Sequence, residues 1–302
     1  MTEQNQPILN SKNYPQQPRK TVGLAISGGF IRASAAIGVI EVLEENGIPI
    51  DMVSGCSSGS AVAGAYCVGT MPQLKKRLIE GNRRDYWNVI FEPAVPKQGL
   101  LKGERNRKFF EEFVGEKEFK DVQKKLVLTG TDLVSMKEVN IAEGKIGQAI
   151  QACTSVPGLF VPVKKDGQVL VDGGNFNMIP SKILYQNGMD YAIAIYNSRS
   201  PTVARFFSNF TRQKQSKELE NKQLKDDDDL NIFQLVWRGI QLSLFQVKNF
   251  YHHAYPYNIL IHPRIGSVKR WHTNSVTYCI EQGRKATLEA LPQIKKDLGY
   301  DS

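Results

Sequence analysis

A serine lies at the centre of a glycine-flanked pentapeptide, Gly55-Cys56-Ser57-Ser58-Gly59. The pattern G-x-S-x-G is typical of a nucleophilic serine on a sharp turn between a strand and a helix. Glycines on both sides let the chain pack closely and leave the hydroxyl exposed. The following helix directs the positive end of its dipole at the serine, which favours developing negative charge. The spacing predicts Ser57 as the nucleophile of an acyl transfer, and a plain glycine-rich turn is the alternative.

A second glycine turn, Ser27-Gly28-Gly29, follows the apolar run 22–26. Successive glycine amides at the start of a helix bind anions, so this turn is a candidate oxyanion hole. Arg32 comes in the first turn of the next helix, where it could fix the loop or bind an anionic group. The turn fits neither of the glycine-rich nucleotide-binding patterns, so a phosphate-binding loop is poorly supported.

A carboxylate stands in the third motif, Val171-Asp172-Gly173-Gly174. Asp172 ends the second strand of a hairpin predicted from the turn pair Asp166-Gly167. A carboxylate at that place could orient or deprotonate a serine hydroxyl. Asp-Gly pairs are also ordinary turn chemistry, so the residues alone leave both interpretations open.

The elements that carry the first two motifs alternate between strand and helix. The apolar patterns predict strands at 22–26 and 48–54 and helices at 33–46 and 60–66. This order favours a parallel sheet covered by helices, with glycine turns where the strands end.

The rest of the chain continues with both kinds of element. The patterns predict strands at 125–130, 139–141, 191–196 and 258–261, a hairpin of 161–165 with 168–171, and helices at 72–81, 106–114, 146–153, 179–186 and 273–298. Residues 198–230 contain no glycine and end in four aspartates, which indicates a charged insertion. We expect a disordered N-terminal arm over 1–20 and one catalytic domain over 21–302.

Composition narrows the class of protein. With 302 residues, 41% of them hydrophobic and 23% charged, a globular chain is expected. Four cysteines without a C-x-x-C pair exclude a disulfide scaffold and a zinc ribbon. The sequence contains no apolar stretch long enough to predict a transmembrane helix or a secretory leader, so we expect a cytoplasmic protein. The net charge of +9 indicates an anionic partner.

Taken together and in order, the motifs resemble those of the patatin-like phospholipase family, of the bacterial type. The resemblance covers about Val22 to Leu298. The segments that carry it are 24–39, with its glycine-rich loop and basic residue, 45–51, 55–59, 131–133, 152–160 and the Asp-Gly-Gly element of 170–180.

The resemblance implies a three-layer α/β/α sandwich with a mostly parallel central sheet and a Ser–Asp dyad that uses no histidine. Ser57 matches the nucleophile and Asp172 the general base. Gly28, Gly29, Phe30 and Arg32 match the oxyanion and substrate-binding loop. The implied reaction is two-step hydrolysis of acyl esters in phospholipids or related lipids, with neither a cofactor nor a metal.

Two positions depart from the family pattern. Phe30 stands where a third glycine is usual, and Ala33 where a glycine usually follows the basic residue. A positive φ at Phe30 would cost about 1–2 kcal/mol, which bears on the geometry of the oxyanion hole. A catalytically weak or inactive lipid-binding protein is therefore one alternative. Cys56 we interpret as a packing residue.

A Ser-His-Asp esterase is the second alternative. The four histidines, His252, His253, His262 and His272, all follow Asp172, which fits the order of an α/β-hydrolase triad. The serine motif, however, comes only two strands into the chain, which is early for that fold. Nucleic acid is not expected as a partner, because the charge comes without a zinc finger or helix-turn-helix pattern.

Two segments suggest contact with a membrane surface. Residues 83–108 carry seven lysines and arginines against three acidic residues. Residues 232–247 form an amphipathic helix pattern that suits either a bilayer interface or a protein core. The expected partners are thus a lipid substrate and, peripherally, an anionic membrane.

Overall fold

A computed structural model describes residues 19–95, 99–175, 178–197, 247, 250, 253–268 and 273–300. The predicted insertion at 198–230 lies outside the described residues, as do almost all of the predicted helix at 232–247 and of the N-terminal arm. At the start of the described chain, the guanidinium of Arg19 forms a salt bridge of 2.6 Å with Asp51.

The described residues form ten strands and eight α-helices. The strands are β1 (Val22–Ile26), β2 (Met52–Cys56), β3 (Gly99–Leu101), β4 (Lys125–Asp132), β5 (Lys137–Ile141), β6 (Gly158–Phe160), β7 (Val163–Lys165), β8 (Gln168–Asp172), β9 (Tyr191–Ile195) and β10 (Ile259–Ile261). The helices are α1 (Ala35–Glu45), α2 (Ser58–Val68), α3 (Met71–Glu80), α4 (Arg83–Ile90), α5 (Glu104–Val114), α6 (Ile146–Thr154), α7 (Ser181–Gln186) and α8 (Val276–Leu298).

Eight of these strands form one sheet in the order β10-β9-β1-β2-β4-β8-β7, and β5 also pairs with β4. The neighbours from β10 to β4 run parallel. The pairs of β4 with β5, of β4 with β8 and of β7 with β8 are antiparallel. The predicted mixed fold with a mostly parallel central sheet is confirmed.

Helices cover both faces of the sheet, as right-handed crossovers require. The chain moves from β1 to β2 to β4 in one direction, and then returns to β9 on the other side of β1, so the two sets of helices lie on opposite faces. Helices α1, α2, α6 and α8 share one core with alternate sheet residues such as Leu24 and Ile26. Helix α7 packs on the other face, against residues such as Ala25 and Met52.

Some boundaries differ from the sequence predictions for local reasons. Strand β2 begins at Met52, not at residue 48, because Gly47 ends α1 with a φ of 66° and the Ile48 amide still donates to Leu43 O at 2.9 Å. The predicted helix at 33–46 starts with a 3-10 turn over Phe30–Ser34. The sequence did not predict β3 and β6, which form a separate pair of three-residue strands.

The register on β4 brings two motifs together. Strand β2 runs parallel to β4 and ends where Cys56 pairs with Thr129. Strand β8 runs antiparallel to β4 and ends where Asp172 pairs with the next residue, Gly130. The carboxyl ends of β2 and β8 therefore meet beside the same point of β4.

Candidate active site

Ser57 occupies a strained turn between β2 and α2. Its backbone has φ 52° and ψ −135°, a conformation that residues with a side chain rarely adopt. The flanking glycines permit the turn. A Cβ at Gly55 would lie 2.7 Å from the Cα of Ser60, and one at Gly59 would lie 2.6 Å from the carbonyl oxygens of Ile26 and Ser27. Only glycine lets α2 turn back on β2 and pack against β1 this closely.

The hydroxyl of Ser57 donates a hydrogen bond of 2.6 Å to Oδ2 of Asp172. The other oxygen, Oδ1, accepts the Gly174 amide at 2.7 Å, which fixes the plane of the carboxylate. A Cβ at Gly173 would lie 2.4 Å from the carbonyl oxygen of Thr129. The glycine after Asp172 therefore lets the chain turn directly over β4 while the carboxylate faces the serine.

Burial raises the pKa of Asp172 to about 6, although the hydrogen bonds from Ser57 and the Gly174 amide oppose the rise. The side chain is only 6% exposed. A carboxylate destabilised by burial is a stronger base than one in water, and it still titrates below neutral pH. At neutral pH the arrangement can therefore accept the proton of the serine hydroxyl.

The glycine loop at 28–30 borders the serine. A Cβ at Gly28 would lie 2.5 Å from the Cβ of Ser57, so the loop backbone touches the nucleophile. The Gly29 amide donates to Oγ of Ser58 at 3.0 Å. Phe30 takes a positive φ of 54°, the conformation that a glycine would adopt freely. The loop thus keeps a backbone path typical of glycine despite the phenylalanine.

Arg32 lies behind the loop and not on the wall of the cavity beside Ser57. Its side chain is buried, and Nε donates to the carbonyl oxygen of Val268 at 2.9 Å. Of the two roles that the sequence left open, this position favours fixing the loop over binding an anionic group.

Asn197 is a site residue that the sequence analysis missed. It lies two residues after the end of β9, and it is fully buried. Its backbone amide donates to Ser27 Oγ at 2.7 Å, and its Nδ2 donates to Ser27 O at 3.0 Å. Asn197 therefore holds the start of the glycine loop. One feature of the sequence could have identified Asn197. It is a polar residue that follows the buried run 191–196, at the carboxyl edge of the sheet where both glycine turns lie.

Ser57 opens into a cavity of about 600 Å³ between α2, α3, α4 and α5. The glycine loop contributes Phe30 to its wall, and most of the other side chains that line it are apolar, among them Leu74, Leu78, Phe109, Phe110, Val156 and Phe160. An elongated apolar group such as an acyl chain fits this lining, with its polar end at the serine.

The two histidines in the described residues are not on the cavity wall. His262 lies beside Tyr196, with ring centroids 5.4 Å apart, and His253 is exposed. His252 and His272 lie outside the described residues. Within the described ranges, no cluster of three or more His, Cys, Asp or Glu side chains is placed to hold a metal ion. No helix in this part of the chain has both the length and the apolar character needed to cross a bilayer.

These features are shared with a known protein family. The family model described as patatin-like phospholipase matches residues 24–185, more than half of the chain. The match includes the glycine loop, the serine turn and Asp172.

Several curated proteins are similar over the same part of the chain. An uncharacterized NTE family protein of Mycobacterium tuberculosis is 28% identical over 174 residues, which are 58% of this chain and 48% of that protein. A protein of Neurospora crassa named lysophospholipase nte1 is 30% identical over 181 residues, 58% of this chain and 12% of that protein. The chain thus spans about half the length of the mycobacterial relative and a small part of the fungal one.

Solved structures show weaker similarity. VipD from Legionella pneumophila has a TM-score of 0.43 and 13% identity over 91% of this chain and 67% of that chain. Human GIVD cytosolic phospholipase A2 has a TM-score of 0.43 and 10% identity over 93% of this chain and 60% of that chain.

Proposed function

The chain belongs to the patatin-like phospholipase family, and from this premise we propose that it hydrolyses fatty-acyl esters of phospholipids or related lipids. The observation that carries the proposal is the 2.6 Å hydrogen bond from Ser57 to a buried carboxylate, at the wall of an apolar cavity. A nucleophile, its base and space for an acyl chain are the three parts that such a reaction needs.

In the first half of the reaction, Ser57 Oγ attacks the ester carbonyl and Asp172 takes the hydroxyl proton. The carbonyl oxygen becomes an oxyanion beside the loop at 28–30 and the N-terminus of α2, whose backbone amides and dipole favour negative charge. The tetrahedral intermediate then collapses, and the bond to the alcohol breaks. Asp172 returns the proton to the departing alcohol, which leaves an acyl group on Ser57.

In the second half, water attacks the acyl-enzyme and gives a proton to Asp172. The bond between the acyl carbon and Ser57 Oγ breaks, and the proton passes from Asp172 back to the serine. The fatty acid leaves with the oxygen from water. One carboxylate serves as base in the attack and as acid in the departure of both steps, so a histidine is not required.

We also propose that residues 21–302 act as one catalytic domain that contacts the membrane only peripherally. The glycine loop lies at the start of the family match and Asn197 lies beyond its end, yet the two hydrogen-bond through Ser27. Substrates held in a bilayer require that the cavity faces the membrane surface. Five basic residues lie on α4 and α5, the helices that line the cavity: Arg83, Arg84, Arg105, Arg107 and Lys108.

The test is turnover of an ester and phospholipid panel by the parent and by the variants Ser57→Ala and Asp172→Asn. We expect both variants to lose at least about a thousandfold in kcat/KM, because nucleophile and base act as a unit. A fluorophosphonate probe should label the parent and spare Ser57→Ala. Asp166→Asn, on an exposed hairpin turn, is the matched control and should keep full activity.

Alanine variants of the four histidines separate the dyad from a triad. Retained activity in all four supports the dyad, and loss of activity in one of them would establish the triad. Turnover that is the same in the parent and in Ser57→Ala would overturn the proposal. Lipid binding without turnover or labelling would identify the chain as a lipid-binding protein with an inactive site.

A further inference from the structure

Helix α4 forms the outer wall of the cavity and leaves large apolar side chains exposed. Trp87 is 55% exposed and Phe91 is 45% exposed, and their rings stack with centroids 5.3 Å apart. None of the eight residues of α4 is buried. The surfaces of soluble proteins rarely expose stacked aromatic rings unless that patch binds a ligand, a partner protein or a membrane.

The chain after α4 adds to this patch. Residues 92–94 run antiparallel to 100–102, since the Ala94 amide donates to Leu100 O at 2.9 Å and the Lys102 amide to Glu92 O at 2.8 Å. Leu100 is 59% exposed at the middle of β3. The pairing places Leu100 opposite the segment that follows α4.

Basic residues accompany the exposed apolar ones. Arg83, Arg84 and Lys102 are exposed, and none of them forms a salt bridge within the described residues. Charge without a protein partner, next to exposed aromatic rings, is the combination that an anionic lipid surface attracts. We call Arg83, Arg84, Trp87, Phe91, Leu100 and Lys102 the α4 lip.

We propose that the α4 lip docks on an anionic membrane surface and guides a lipid chain into the cavity. Arg83 and Trp87 belong both to the lip and to the cavity wall that includes Ser57. A lipid that leaves the bilayer along α4 therefore passes from the membrane to the serine without crossing water. The proposal rests on the proposed function and deepens it, because it names the surface that meets the substrate.

A flotation assay with lipid vesicles tests the lip apart from catalysis. The full chain carrying Ser57→Ala serves as the parent, so that no lipid is consumed. We expect it to float with vesicles of phosphatidylcholine mixed with phosphatidylglycerol, and to float less as salt rises. Vesicles of phosphatidylcholine alone should bind it weakly.

Two double variants in this parent remove each component of the lip. Arg84→Gln with Lys102→Gln should lower the partition coefficient about 25-fold, at about fivefold for each basic residue near the surface. Phe91→Ser with Leu100→Ser should lower it at least about tenfold, because the exposed apolar area is lost. Circular dichroism and thermal unfolding check that the variants are folded.

Matched controls lie elsewhere on the surface. Leu288→Ser changes a leucine of α8 that is 52% exposed. Lys125→Gln with Lys285→Gln removes two exposed charges, one at the amino end of β4, the sheet edge opposite Ser57, and one on α8. The apolar control should float like the parent, and the charge control should bind more than the lip charge variant.

The outcomes separate this proposal from the proposed function. Parent binding that both lip variants retain, or that is equal on the two kinds of vesicle, would overturn the lip. Absence of vesicle binding would also overturn membrane docking by the α4 lip, and a protein would then be the remaining candidate partner for this surface. Because the parent lacks the nucleophile, flotation succeeds or fails independently of whether the native chain hydrolyses lipids.

Discussion

At the scale of single residues, burial of Asp172 makes its carboxylate a stronger base but lowers the stability of the fold at neutral pH. Burial raises its pKa to about 6, above the 3.8 of a free aspartate. The folded state therefore holds the proton more tightly than the unfolded state, and folding loses stability as pH rises from about 4 to about 6. The same destabilised carboxylate is a better base for the Ser57 hydroxyl.

The first prediction concerns the pH dependence of turnover. Activity of the native chain on a soluble ester should rise as pH increases through about 6, because only the ionised Asp172 accepts the serine proton. The measurement is kcat/KM against pH, with Asp166→Asn as the control that keeps the same profile. A profile that is level across this range would contradict the assignment of Asp172 as base.

The second prediction concerns the stability of Asp172→Asn. The neutral amide avoids the cost of a buried charge, so the variant should be more stable than the native chain at neutral pH, by at most about 3 kcal/mol. The advantage should vanish near pH 3, where Asp172 is protonated in both states. Urea unfolding at the two pH values measures it, and a less stable variant at neutral pH would refute it.

At the scale of elements, glycines set how closely the loops approach the serine. Gly59 is the contact between the first turn of α2 and the end of β1, where a methyl group would lie 2.6 Å from two carbonyl oxygens. The G-x-S-x-G spacing thus serves the packing of α2 on the neighbouring strand β1 as well as the turn itself. Sequence spacing alone shows the turn and does not show this contact.

The third prediction is that Gly59→Ala destabilises the fold by about 1–3 kcal/mol and slows fluorophosphonate labelling of Ser57. The added methyl group must push α2 away from β1, which moves the serine relative to Gly28. Gly266→Ala is the control, since a Cβ there would meet nothing within 4 Å. Equal unfolding midpoints and labelling rates in the two variants would contradict the argument.

Most long elements were predictable from the sequence, and the short ones were predictable only in part. The runs that became β1 and β9 are continuous and apolar, and each is buried in the sheet. Strands β7 and β10 have three residues each and were predicted, from the turn pair Asp166-Gly167 and from the run 258–261. Strands β3 and β6 are as short and carry no such signal, and they exist because their backbones pair with each other. Local pattern therefore predicts a short strand only where a turn motif or an apolar run marks it.

At the scale of the whole molecule, α8 closes the fold by packing against α1 through two glycines. A Cβ at Gly38 would lie 2.0 Å from Ile280 O, and one at Gly283 would lie 2.0 Å from Ala35 O. The helix backbones therefore touch directly. This contact joins the carboxyl-terminal helix to the element that follows the glycine loop.

The fourth prediction is that Gly283→Ala lowers the free energy of unfolding by about 1–3 kcal/mol. Helix propensity alone predicts the opposite sign, a gain of up to about 1 kcal/mol, so the experiment separates the two effects. Lys285→Ala, at an exposed position of the same helix, should stay close to the native value. Stabilisation by Gly283→Ala would show that the two helices can move apart without cost.

The family, the serine turn, the glycine loop and the mostly parallel sheet were predictable from the amino-acid sequence. These features follow from residue types at short spacings, which act through local geometry. The fold adds three contacts and exposures that no local spacing contains: Ser57 hydrogen-bonds a carboxylate 115 residues away, Arg32 is buried behind the loop, and α4 exposes Trp87. Strand register explains the first of them, because β2 and β8 end beside neighbouring residues of β4. Pairing between strands that are distant in the chain leaves no mark in the local pattern.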